Sequence, residues 1–245
     1  MRALSIAELL NVWERGLGRN APEQALLLLE AADGETSRRE LEELPVGRRD
    51  SRLLQLRNTI FGPSLVSITS CPRCQERLEV TLSAADLVTP DADSDGSGTL
   101  VQSDVRITFR LPNSRDLIEL SRRSCPTVDD ARRALLERCV LSIEGGDGEV
   151  TAGELPASIV NKISELMARM DPGGDLRLSI SCSACGQTSD LSLDIAAYLG
   201  TELQFWAQQT LRDVHCLASA YGWSEHEILS MTPERRRFYL SAING

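Results

Sequence analysis

Two Cys-x-x-Cys turns, Cys71-Pro72-Arg73-Cys74 and Cys182-Ser183-Ala184-Cys185-Gly186, lie far apart in this chain, and each stands between segments in which apolar and polar residues alternate. Ser64-Leu65-Val66-Ser67-Ile68-Thr69-Ser70 leads into the first turn, and Arg77-Leu78-Glu79-Val80-Thr81-Leu82 leaves it. Leu176-Arg177-Leu178-Ser179-Ile180-Ser181 and Leu191-Ser192-Leu193-Asp194-Ile195 flank the second. A period of two marks half-buried strands, so the pattern predicts two β-hairpins, each with two thiolates at its tip. A tetrahedral structural zinc ion needs four such ligands. Cys71, Cys74, Cys182 and Cys185 are therefore the predicted ligands of one structural zinc, in a ribbon split by a long insertion. Any fold that satisfies this must bring the two tips together.

The same motif serves other chemistry. A thioredoxin-like redox pair wants a helix N-terminus directly behind its first cysteine to lower the thiol pKa, whereas polar, strand-like sequence follows both pairs here. Four thiolates also accept iron. Zinc, iron and a redox or disulfide pair thus all fit the cysteines, and the flanking strands favour structural zinc.

Composition narrows the classes of function. The formal net charge is -10 and the sequence pI about 4.8, which disfavours a nonspecific grip on nucleic acid or anionic lipid. Seven cysteines, an odd number, leave Cys125, Cys139 and Cys216 outside the two pairs; in a chain of this size that usage fits a reducing, cytoplasmic setting. Glu8 and Glu14 break the apolar run at the N-terminus, so it reads as an amphipathic helix rather than a signal peptide. No stretch approaches the length of a membrane span.

Helices are predicted on both sides of the knuckles. Ser5-Ile6-Ala7-Glu8 has capping-box form with Leu4 and Leu9 as its hydrophobic staple. A second helix follows Pro22, and its Leu26-Leu27-Leu28-Leu29 run is apolar all round and so covered on more than one side. Ser37 opens a short helix, and Asp50 or Ser51 is expected to cap another that ends at Gly62-Pro63. Between the knuckles, residues 89–98 have loop composition, a strand runs over Val105 to Leu111, and helices over about Ser114 to Arg122, Thr127 to Glu137 and Pro156 to Met170. After the second knuckle come a long helix from about Ala196 to Ala220, a capping box at Ser224 to Glu227 stapled by Trp223 and Ile228, and a last helix behind Thr232-Pro233. The expected fold is α+β, with helical N- and C-terminal regions (1–62 and 196–245) around a split two-knuckle zinc ribbon (63–86 and 174–195) that holds an α/β insertion (87–173).

No catalytic constellation stands out. The two histidines, His215 and His226, read as helix residues rather than as a base or metal ligands. Asp91-Ala92-Asp93-Ser94-Asp95-Gly96 imitates the start of a calcium loop, but Gln102 stands where the bidentate glutamate belongs, so a solvated acidic loop is the plainer reading. Arg235-Arg236-Arg237 sits at a helix N-terminus, where positive charge is disfavoured, and so could serve an acidic partner or nucleic acid as well as forming a solvated face. Trp13, Trp206 and Trp223 fall at apolar or staple positions and are expected in the core.

Several stretches taken together resemble a known family. Trp13-Glu14-Arg15-Gly16 followed by Ala25-Leu26-Leu27-Leu28-Leu29, the Cys-Pro-x-Cys knuckle, Arg110-Leu111-Pro112-Asn113-Ser114-x-Asp116-Leu117, Cys182-x-x-Cys185-Gly186 and Val214-His215-x-Leu217-Ala218-x-x-Tyr221-Gly222-Trp223 are similar to the T-even-phage-type baseplate hub assembly chaperone family. The second knuckle lacks the proline of the first. The resemblance implies a noncatalytic protein that helps a baseplate hub to assemble in a phage tail or phage-like contractile injection system. It implies baseplate or hub proteins as partners, with no small-molecule substrate, and the four knuckle cysteines as zinc ligands. The competing reading is a zinc-ribbon adaptor for nucleic acid or another protein.

Overall fold

The computed structural model describes residues 1–88, 96–145 and 151–244. Four helices come first: α1 (Ile6–Gly16), α2 (Ala21–Asp33), α3 (Arg38–Glu43) and α4 (Val46–Phe61). Three of them start at capping boxes, Ser5 with Glu8, Asn20 with Glu23 and Ser37 with Glu40, each satisfying orphan N–H groups at both ends of the box. Leu26 to Leu29 are all buried, as an apolar run covered on every side requires. The start of α4 differs from the expected Asp50 or Ser51. It begins at Val46 behind Pro45, with Asp50 and Ser51 buried in its second turn. Its first free N–H groups are satisfied from far away, Val46 by the Pro112 carbonyl at 3.0 Å and Gly47 by Asp171 Oδ2 at 2.8 Å. Such tertiary caps leave no local trace in the sequence.

The first hairpin follows, β1 (Ser64–Ser70) and β2 (Arg77–Ser83), antiparallel with Ser64 opposite Ser83 and Ser70 opposite Arg77. A short α5 (Ala84–Leu87) closes it. Next come β3 (Ser97–Gln102), β4 (Val105–Arg110), α6 (Ser114–Arg122), α7 (Val128–Cys139), β5 (Val140–Glu144) and α8 (Ala157–Met170), the three strands forming one sheet in the order β3-β4-β5. Ile107, Phe109, Leu136, Leu155, Val160 and Ile163 make a core for this part. The expected loop over 89–98 therefore ends early, because Ser97 and Gly98 pair with Arg110 and Phe109 in β3. The acidic stretch Asp91–Asp95 lies outside the described residues.

The second hairpin, β6 (Leu176–Ser181) with β7 (Thr188–Leu193), runs directly into the long α9 (Ile195–Tyr221), followed by α10 (Glu225–Leu229) and α11 (Pro233–Asn244). The fold is thus a mixed helical and sheet structure in which the sheets are small. No helix among the described residues is long and apolar enough to cross a membrane.

One hydrophobic core joins the two ends of the chain. Leu26 to Leu29 of α2, Leu53, Leu54 and Leu56 of α4, and Ile195, Leu199 and Leu203 of α9 pack together, with Leu65 of β1 and Ala84 of α5 buried among them. Fully burying each of these leucines or isoleucines is worth about 1.5–3 kcal/mol. Trp13 and Trp206 pack on this core, and Trp223 on a smaller one made by Val214, Leu217 and Ile228, so none of the three stands out as a free anchor.

Candidate metal centre

The bases of the two hairpins are held by the same helices. Arg57 near the end of α4 donates to Glu202 of α9 at 2.7 and 3.0 Å and to the Gly62 carbonyl, which fixes the point where β1 begins against the helix that β7 runs into. The Tyr198 hydroxyl of α9 donates to the Val66 carbonyl at 3.0 Å and accepts from the Val66 N–H at 3.2 Å, so β1 is stitched to the first turn of α9. Asp194 caps that turn through the Ala197 N–H at 3.0 Å. On the other hairpin, Leu176 at the start of β6 packs on the main core. Asp171, just upstream, is bound to Gly47 of α4 at 2.8 Å. Both hairpins therefore leave one helical platform side by side, although they are separate two-stranded sheets.

The knuckles at the tips are built alike. Cys71 N–H donates to Glu76 O and Gln75 N–H to Cys71 O, both at 2.9 Å; Cys182 N–H donates to Gln187 O and Gly186 N–H to Cys182 O, also at 2.9 Å. Each turn needs a left-handed residue directly after its second cysteine, Gln75 at φ 61 and Gly186 at φ 70. Glycine takes that conformation without penalty, whereas glutamine does not. The first cysteine of each knuckle is buried, Cys74 is exposed and Cys185 is intermediate.

The four sulfurs converge. All lie within 4.8 Å of one another. Across the knuckles, Cys71 Sγ is 3.7 Å from Cys185 Sγ and Cys74 Sγ is 3.6 Å from Cys182 Sγ. A disulfide requires about 2.05 Å between sulfurs, so these thiols are free. A tetrahedron with Zn–S bonds of about 2.3 Å has sulfur–sulfur edges of about 3.8 Å. The two short edges match it closely, and the donor set can hold a metal ion.

The electrostatics point the same way. The N–H groups of Cys74 and Arg73 aim at the Cys71 sulfur and lower its pKa to about 6, favouring the thiolate. Cys74 responds oppositely. The Glu76 N–H draws it down, but the Cys185 sulfur, desolvation and the Cys182 sulfur push it up to about 12. For Cys185 the Gln187 N–H lowers the pKa, yet desolvation and the sulfurs of Cys71 and Cys182 leave it raised. Four sulfurs this close resist shedding their protons together unless a cation compensates the charge. A divalent ion would do so.

The tips have little else to hold them. Their local core comprises Cys71, Leu78 and Cys182, with Ile180 and Cys185 partly buried against it. Val66 and Ile68, on the opposite face of β1, are exposed. The helix-backed geometry of a redox Cys-x-x-Cys is missing from both turns, since β2 and β7 follow them. His215 and His226 are exposed, and neither they nor Cys125, Cys139 and Cys216 join the sulfur cluster.

A family model described as T4 bacteriophage base plate protein matches residues 20–197. The chain belongs to this family. The match contains both knuckles, the Arg110 to Leu117 segment and the α2 leucine run. It leaves out Trp13 and the Val214 to Trp223 segment, two of the stretches on which the sequence resemblance drew. Neither the curated proteins nor the solved structures contain a match to the chain.

Within this base plate family segment, Arg110-Leu111-Pro112-Asn113-Ser114-x-Asp116 has a structural explanation that the sequence did not offer. Asp116 is fully buried and accepts from Arg110 at 2.5 and 2.9 Å and from Arg138 at 2.9 Å, while Asn113 caps α6 and Pro112 caps α4. Burial works to raise the Asp116 pKa, but Arg110, the Asn113 N–H and Arg138 hold it lowered overall. The segment is a junction between the N-terminal helices and the middle sheet.

Proposed function

We propose that this chain is a non-enzymatic structural component or assembly chaperone of the baseplate hub, acting in the cytoplasm of a cell that builds a phage tail or phage-like contractile injection system. The observation that carries this reading is the base plate family match across residues 20–197. In the proposed architecture residues 63–86 and 174–195 form a split zinc ribbon, 87–173 an insertion in it, and 1–62 and 196–245 the helical regions that carry it. Cys71, Cys74, Cys182 and Cys185 are its proposed ligands. When bound, zinc supplies a charge-compensated cross-link and no reactive position, because four protein sulfurs complete a tetrahedral site. Its partners are baseplate or hub proteins.

Deleting the gene from a producing strain tests the reading. Sheathed particles should be absent by electron microscopy, and the tagged protein should co-purify with baseplate proteins and with about one zinc per chain. Intact, active particles from the deletion strain would refute it. The nucleic-acid adaptor gains little support, since Arg237 is paired with Glu234 at 3.0 Å, Arg235 lies over the Tyr239 ring and Arg236 is buried.

A further inference from the structure

The triple arginine at the start of α11 divides into three different environments, and the middle one has a guanidinium nitrogen with no hydrogen bond among the described residues. Arg237 is tied to Glu234 and Arg235 sits 5.8 Å from the Tyr239 ring centroid. Arg236 is only 8% exposed, and its Nε is enclosed with no hydrogen-bond partner among the described residues. Buried polar atoms are almost always satisfied, and a buried charge without a hydrogen bond is costly. Arg236 lines a cleft of about 190 Å³ between α9 and α11, whose other walls are Trp206, Gln209, Thr210, Asp213, Pro233 and Arg237. Asp213 attracts Arg236 electrostatically, but its carboxylate takes its hydrogen bond from Gln209 at 2.9 Å.

We propose that this cleft is a docking site for one carboxylate side chain of a partner protein, anchored by the Arg236 guanidinium. A guanidinium presents a planar fork of N–H groups that matches a carboxylate in a bidentate pair. The cleft has room for one such side chain. Asp213 in its wall and the overall charge of -10 repel a polyanion far more than a single carboxylate. Phe205 on α9 and Phe238 on α11, both about two-thirds exposed, offer apolar ground on the two helices that form the cleft. Arginine and aromatic residues are the side chains that most often anchor protein interfaces. All the lining residues fall after residue 197, outside the family match, so the inference stands apart from the baseplate reading.

The test is a titration of the isotopically labelled full chain with acetylated, amidated Gly-Phe-Glu-Gly, with Gly-Phe-Gln-Gly as control, following the Arg236 Nε–H resonance in the parent and the backbone amides of Gln209, Thr210 and Asp213 in the parent and the variants. The glutamate peptide should shift it saturably and bind at least tenfold more tightly than the glutamine peptide. Arg236→Lys, which keeps the charge and loses the fork, should weaken binding at least fivefold. Arg236→Met should abolish binding and leave Tm unchanged or higher, because an unpaired buried charge is replaced by an apolar chain. No saturable shift, equal affinity for the two peptides, undiminished binding by Arg236→Lys, or a fall in Tm for Arg236→Met would each overturn the proposal. Titration with a single-stranded oligonucleotide should leave the Arg236 resonance in place; saturable binding there would assign the cleft to nucleic acid instead.

Discussion

Removing the proposed zinc ion should loosen the two tips and spare the helical platform. Among the described residues the tips bury Cys71, Leu78 and Cys182 between them, and at about 1.5–3 kcal/mol for each buried side chain this supplies on the order of 5–9 kcal/mol, an upper bound because denatured chains already bury some surface. Isolated two-stranded hairpins are marginal in water, and among the described residues no strand of one sheet hydrogen-bonds to the other. A structural zinc ion bound there would contribute about 10–16 kcal/mol and so would be the largest single contribution holding the tips. The helices do not depend on it, since α2, α4 and α9 bury a core of their own. Amide exchange around residues 69–78 and 180–188 is the measurement. Chelation, or Cys182→Ser, should accelerate it at least a thousandfold, equivalent to about 4 kcal/mol of lost local stability. The helical circular dichroism should change little. Cys125→Ser, outside the cluster, should leave exchange unaltered. Equal exchange in these turns with and without chelator would refute the thiolate clamp, and collapse of the whole helical signal would refute the independence of the platform.

Gly47→Ala should destabilise by about 3 kcal/mol or more, because a Cβ there would overlap Asp171 Oδ1 and come within 2.7 Å of the Gly174 nitrogen; a denaturation midpoint close to that of the parent would contradict the close approach. Gly186→Ala meets no neighbouring atom among the described residues, so its cost should be the left-handed strain alone, about 1–2 kcal/mol, seen as a modest fall in the Tm of the protein with zinc added. Asp50, buried beside Arg49, has its pKa raised to about 6, chiefly by burial and against the pull of Arg49. A folded pKa above the unfolded one means stability that is full below about pH 4 and lost as pH rises through about 6. The loss is about 3 kcal/mol at 1.36 kcal/mol per unit. Urea unfolding at pH 4.5 and pH 7 should show about 2 kcal/mol of this decline in the parent and not in Asp50→Asn.

What was legible in the sequence was whatever is encoded locally. The capping boxes at Ser5, Ser37 and Ser224 start helices where expected, and Asn113 and Thr127 open α6 and α7 close to the predicted positions. Period-two alternation gave both cysteine hairpins. Two strands carry no clear signal in the sequence. β3 is half-exposed along its length and joins β4 through Ser103-Asp104, with Ser103 at φ 53 in place of the usual glycine or asparagine signal. β5 follows α7 with no breaker between Cys139 and Val140. The start of α4 differs from the expected Asp50 or Ser51 because its caps, Pro112 and Asp171, are remote in sequence. In the candidate centre the four cysteines were named from spacing, whereas Arg57, Glu202 and Tyr198, which set the hairpins side by side, carry no motif. They act through pairs 145 and 132 residues apart.

The sulfur pairs themselves are 108 and 114 residues apart in the chain. At about 5–20 residues per second of synthesis, the first knuckle leaves the ribosome roughly 5–25 seconds before the second exists. During that interval it offers an ion half a coordination shell, and every residue of the intervening sheet and helices must be translated before the shell can close. Closure of the ring of sulfurs would therefore double as a completeness check on the nascent polypeptide: a product truncated anywhere before Cys185 would lack part of the four-sulfur set.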